Sequence, residues 1–220
     1  MRGADGSRSP YVRTNPMGIA RMRSTIRAAL TSVGTFLRLE VGMRLVATEY
    51  LSLDGVFEEP GHWSFPYFDE QAARFKADEL EATDAQLLGR KTYEGFAKAW
   101  PTMEGTGDFG VKMNTMPKYV VTKTLKKLEW SGSTPIHGNV EEEVEKLKAK
   151  PGRDLLLAGS GQLFRTLTNA GLIDVYRFMI HPVLLGKGKR LFTDEDQRQD
   201  LTLVDTKTFS KGIVVVEYRK

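Results

Sequence analysis

Asp154-Leu155-Leu156-Leu157-Ala158-Gly159-Ser160-Gly161-Gln162-Leu163-Phe164 is the stretch on which the reading of this chain turns. A short apolar run ends in a Gly-Ser-Gly turn, and a helical pattern starts at once. Glycines let backbone come close to a ligand, and the first amides of a helix have no internal partner. Those amides and the helix dipole favour an anion, typically a phosphate. The stretch therefore reads as a diphosphate cradle, with Gly159, Ser160, Gly161, Gln162 and Leu163 as its contacts. A tight turn with Ser160 as a plain helix cap is the competing reading. The turn is not a full dinucleotide fingerprint, because Phe164 stands where a third glycine belongs.

Two other strand ends repeat this chemistry. In Leu88-Gly89-Arg90-Lys91-Thr92-Tyr93-Glu94 a buried strand ends at a glycine, and two cations with a hydroxyl open a helix. Cations there oppose the helix dipole unless an anion lies between. In Val121-Thr122-Lys123-Thr124-Leu125 hydroxyls flank another cation. Open α/β sheets bind ligands at the carboxyl ends of their strands. Gly89, Arg90, Lys91, Thr92, Thr122, Lys123 and Thr124 thus join the candidate cofactor site. A 2′-phosphate would give Arg90, Lys91 and Lys123 a common purpose, so NADPH is expected rather than NADH.

Outward from these motifs, the pattern alternates strands and helices. Strands are expected at 44–51, 85–89, 118–122, 154–158, 175–181, 201–209 and 213–218, the last two forming a hairpin around Ser210-Lys211-Gly212. Helices are expected at 68–82, 91–99, 140–149 and 162–170. Residues 100–117, with three glycines, read as a long connection. The expected fold is α/β, a mixed central sheet with helices on both faces and an antiparallel C-terminal hairpin.

The net charge of +4 over 220 residues is uneven. Residues 1–42 hold seven arginines and two acids, so they carry +5 and the remainder −1. Residues 1–42 are expected to be a disordered extension or a non-native start; a targeting peptide and an amphipathic helix near 22–39 are the rivals. The domain proper is expected at 43–220. Its charge gives no reason to expect nucleic-acid binding, and no apolar run approaches a membrane span. There is no cysteine, which suits a reducing compartment and a cytoplasmic location. The three histidines lack metal-ligand spacing.

The motifs together resemble the dihydrofolate reductase-like superfamily, in the branch of the reductase domain of bifunctional riboflavin-biosynthesis proteins. Ser52-Leu53-Asp54-Gly55, the 63–69 segment, Gly171-Leu172-Ile173-Asp174 and Pro182-Val183-Leu184-Leu185-Gly186-Lys187-Gly188 also match. The resemblance covers 43–220. It implies a three-layer fold, NADPH across the strand ends, the first strand and the 54–61 loop beside the nicotinamide, and a homodimer. It also implies hydride transfer to a small pterin- or pyrimidine-like heterocycle. Asp69 is the candidate carboxylate near the first helix, or else that helix's cap. Asp54 is either a turn residue or a neighbour of the nicotinamide. Trp63, Phe65, Tyr67 and Phe68 form an aromatic cluster that would stack on a flat substrate or fill core. Glu49 points either into a pocket or to solvent. With no clear catalytic acid, a non-catalytic NADP-binding sensor or scaffold is the alternative.

Overall fold

The computed structural model describes residues 42–194 and 196–220. The expectations for the basic N-terminal stretch lie outside the described residues. In chain order the elements are β1 (Arg44–Ser52), α1 (Glu70–Ala82), β2 (Thr83–Gly89), α2 (Arg90–Ala99), α3 (Gly107–Thr115), β3 (Lys118–Val121), β4 (Ser133–Ile136), α4 (Val140–Lys148), β5 (Asp154–Ala158), α5 (Gly161–Asn169), β6 (Val175–His181), β7 (Thr202–Thr208) and β8 (Val214–Arg219).

The eight strands form one sheet, ordered β4-β3-β2-β5-β1-β6-β8-β7. Pairing is parallel from β4 to β6; β8 runs antiparallel to both β6 and β7. The mixed sheet and the terminal hairpin are therefore as expected. β1 and β5 are central strands covered on both faces, which is why Leu45-Val46-Ala47 and Leu155-Leu156-Leu157 are unbroken apolar runs. One face packs Val144 and Leu147 of α4 and Phe164 and Leu167 of α5 onto Leu45, Ala47, Leu87, Leu155 and Leu157. The other face meets α1 and α2 through two smaller clusters, Ala72 with Met179 and Val215, and Leu80 with Leu88, Tyr93 and Val120.

Three expectations need correction. The first helix starts at Glu70, not at 68, because Asp69 takes an extended conformation and its carboxylate caps the Ala72 amide at 2.8 Å. The 100–117 connection contains α3 after a short 3-10 turn; its glycines did not keep the chain from coiling. Strand β4 escaped the reading because Ser133-Thr134-Pro135 shows no apolar alternation, and its Pro135 is tolerable only on an edge strand.

Two buried polar devices hold layers together. Arg177 of β6 pairs with Glu79 of α1 at 3.0 Å and Glu217 of β8 at 2.7 Å, and Lys76 joins Glu79 while donating to the Thr48 hydroxyl. Lys118, wholly buried at the start of β3, donates to the carbonyls of Asn114, Met116 and Ser131 and lies 4.2 Å from the Trp130 ring centre. A buried ammonium is tolerable only with such partners.

Candidate functional site

The carboxyl ends of β3, β2 and β5 lie side by side, because these strands are parallel neighbours. Register brings Gly89 opposite Val121, so Arg90 and the 122–124 turn open at the same level of the edge. The turn after β5 is made by two consecutive left-handed residues, Gly159 at φ 58° and Ser160 at φ 64°. Glycine enters that region freely; serine does so at a cost. A compensation is visible in its hydroxyl. It accepts the Gly89 amide at 2.8 Å and donates to the Thr92 hydroxyl at 2.9 Å. Ser160 does not cap its own helix. It ties the mouth of α2 to the mouth of α5, and the first-turn amides of α5 stay without a side-chain cap.

The glycines are fitted to this packing. A Cβ on Gly159 would lie 3.2 Å from the Thr92 hydroxyl, and one on Gly161 would lie 2.3 Å from Cζ of Phe57. Gln162 is exposed and Leu163 buried. In the third turn the buried Thr122 hydroxyl accepts the amides of Thr124 and Leu125 at 3.2 and 3.1 Å, leaving Lys123 and Thr124 projecting into solvent. Arg90 is half-exposed and pairs with Glu94 at 3.0 Å, one helical turn on; Lys91 is exposed. The structure thus joins the three sequence motifs along one edge.

The candidate carboxylates are engaged elsewhere. Asp54 accepts from the Ser52 hydroxyl at 2.7 Å and from the Leu185 and Gly186 amides at 3.1 and 2.9 Å. Those bonds, the Ser52 one foremost, hold its carboxyl down at about 2. It fastens the turn after β1 to the 182–190 loop. Asp69 accepts from the Ser210 hydroxyl as well as from Ala72, and these bonds lower its pKa too. Trp63, Tyr67 and Phe68, with Tyr50, surround the fully buried His181 at ring distances of 5.2 to 6.5 Å; Phe65 is 69% exposed and stands outside this group. His181 Nδ1 lies 2.9 Å from the Met179 carbonyl and 3.2 Å from that of Leu51, so Nδ1 carries the proton, while Nε2 has no partner. Burial keeps the ring neutral by lowering its pKa.

Glu49 is the residue that the sequence left undecided. It is buried and shares its sheet face with Ala47 and Leu51. Burial pushes its carboxyl up to about 8, against the opposing pull of Lys76 and the Gly159 amide. A glutamate inside the run Val46-Ala47-Thr48-Glu49-Tyr50-Leu51 was the available signal. Among the described residues, no group of His, Asp or Glu side chains could hold a metal ion, and no helix is long and apolar enough to cross a membrane. A cleft of about 660 Å³ lies outside the turn after β5, between α2 and the 125–131 segment, and is lined by Tyr93, Leu125 and Trp130.

Residues 44–215 match the family model of the RibD C-terminal domain. The chain belongs to that family. It is 38% identical over 144 residues to the uncharacterized protein YyaP of Bacillus subtilis (strain 168), across 64% of this chain and 76% of the relative. It is 27% identical over 167 residues to the uncharacterized protein YwjB of the same organism, across 74% and 90%. Among solved structures, a putative riboflavin biosynthesis protein from Shewanella sp. PV-4 superposes with a TM-score of 0.65 at 18% identity, covering 80% of this chain and 98% of the other. Dihydrofolate reductase from Enterococcus faecalis, complexed with NADP(H) and RAB-propyl, gives 0.54 at 19%, covering 80% and 95%. A pyrimidine reductase-like protein from Corynebacterium diphtheriae gives 0.56 at 14%, covering 89% and 98%. The RibD C-terminal domain formed here has the dihydrofolate reductase-like fold.

Proposed function

We propose that the protein is an NADPH-dependent reductase that transfers a hydride to a small heterocycle of the pterin or pyrimidine type. The observation that supports this most is the joining of the turns after β2 and β5 by the Ser160 hydroxyl, beside an uncapped helix start and next to the parallel end of β3. Uncapped amides suit a diphosphate. Arg90, Lys91 and Lys123 suit the additional 2′-phosphate, Arg90 by exchanging its half-exposed Glu94 partner for it. When bound, NADPH supplies the hydride. The chain's part is to position two flat rings and exclude water, and the aromatic group around His181 gives a rigid wall for that purpose. Structural similarity to a dihydrofolate reductase and to a pyrimidine reductase-like protein agrees with the reading.

One observation favours the non-catalytic alternative: Asp54 and Asp69 are both fixed as ionised hydrogen-bond acceptors. Nicotinamide fluorescence separates the two. Binding of NADPH with oxidation by a member of a panel of oxidised pterins and pyrimidines is the expected result. Binding without turnover across the panel leaves a sensor, and no binding of either dinucleotide removes both readings.

A further inference from the structure

Glu49 lies beside the turn that follows β5. Thr48 is in register with Ala158, so the chain turning at Gly159 brings that residue's amide to the Glu49 carboxyl. The residue is 3% exposed, and its Oε1 has no hydrogen-bond partner. The elements packed around it present groups that do not titrate. Phe178 is opposite on β6, α5 turns Leu163 and Phe164 inward, and Phe57 of the 53–61 loop closes on Gly161. Among the described residues the charge that bears on it is the Lys76 ammonium of α1, itself held by Glu79 and Thr48. A carboxyl so enclosed keeps its proton at neutral pH.

The ionised form would act on the turn in two ways. It would hold the Gly159 amide for itself, and it would set a negative charge beneath a helix start that otherwise attracts anions. Resting on the cofactor reading above, we propose that Glu49 belongs to the dinucleotide site and serves it as a neutral acid, whose ionisation and the binding of the diphosphate oppose each other. The linkage has a definite sign. The dinucleotide raises the affinity of Glu49 for its proton, so binding takes up a proton where the free carboxyl is ionised. Affinity is full below about 8 and falls above it, with a limiting slope of roughly tenfold per pH unit for one proton.

Calorimetry of the full chain with NADPH and NADH between pH 7.5 and 9.5, in two buffers of different ionisation heat, reads both quantities. NADH is included because a phosphate monoester titrates near about 6 and NADH has no 2′-phosphate. The wild type should take up a fraction of a proton approaching one at the alkaline end, with both ligands. The Glu49→Gln variant should bind with no proton uptake and with a flat affinity profile. Binding by the wild type that is independent of pH and buffer overturns the proposal while leaving the cofactor reading intact. An unchanged slope in Glu49→Gln overturns it as well. Absence of heat for either dinucleotide at pH 7.5 removes the cofactor reading and this inference with it. Should Glu49→Gln not fold, the two-buffer measurement on the wild type decides alone.

Discussion

The joint between α2 and α5 rests on one hydroxyl, so Ser160 is the most direct place to test the architecture. Ser160→Ala removes the acceptor of the Gly89 amide and the donor to Thr92. A half-buried amide left without its partner costs about 1–3 kcal/mol; the Thr92 hydroxyl can rotate and adds little. Alanine keeps the left-handed strain at φ 64°. Ser160→Gly loses the same bonds but sheds that strain, about 1–2 kcal/mol, offset by about 0.5–1 kcal/mol of extra chain entropy in the unfolded state. The expected order of stability is therefore wild type, then glycine, then alanine, with the two variants separated by roughly 0.5–1 kcal/mol. In urea titrations with a slope of about 2 kcal/mol per molar, the alanine variant should unfold roughly 0.5–1.5 M earlier than the wild type. Alanine unfolding with the wild type would refute the joint, and alanine unfolding later than glycine would refute the strain.

Neutralising Arg90 and Lys123 together, as Arg90→Gln with Lys123→Gln, should weaken NADPH roughly tenfold more than NADH; equal weakening in calorimetry would reject the 2′-phosphate assignment. Glu79→Gln leaves Arg177 and Lys76 short of a buried counter-charge and should cost about 3 kcal/mol or more in denaturant unfolding. Burial alone would raise the Glu79 pKa, but Lys76 and Arg177 hold it below the ordinary 4.5. Its stabilisation is therefore complete above that value and disappears as pH falls through the folded pKa, and the acid limb of the stability profile should be shallower in the variant. Asp54→Asn weakens the anchor of the 182–190 loop, so the Leu185 and Gly186 amides should exchange with deuterium faster while those of β1 do not; equal rates at Leu185 and Gly186 would show that the charge is dispensable.

The sheet was legible because its central strands announce themselves. β1 and β5 carry the apolar runs Leu45-Val46-Ala47 and Leu155-Leu156-Leu157, and Gly89 at the end of β2 and Gly159 after β5 mark where those strands stop. What escaped was set by tertiary context. β4 is held by pairing to β3 rather than by apolar patterning, and α3 forms in spite of Gly107 and Gly110. The site was legible as chemistry but not as connection. The sequence singles out Gly89, Thr92 and Ser160 separately, yet that one hydroxyl unites them across a separation of about seventy residues is a property of sheet order. Glu49 stayed undecided for the same reason: alternation along β1 places it on a definite face, but only the crossover that brings β5 alongside decides that this face is dry.

Lys118 has a consequence of its own. One ammonium gathers carbonyls from the end of α3 and from the segment before β4, a task that many small folds give to a calcium ion or a disulfide. In a chain without a single cysteine, the base of β3 is thereby riveted by a part that neither a chelator nor a reductant can extract. The turn carrying Lys123 stands five residues further on, at the tip of a strand whose root is fixed.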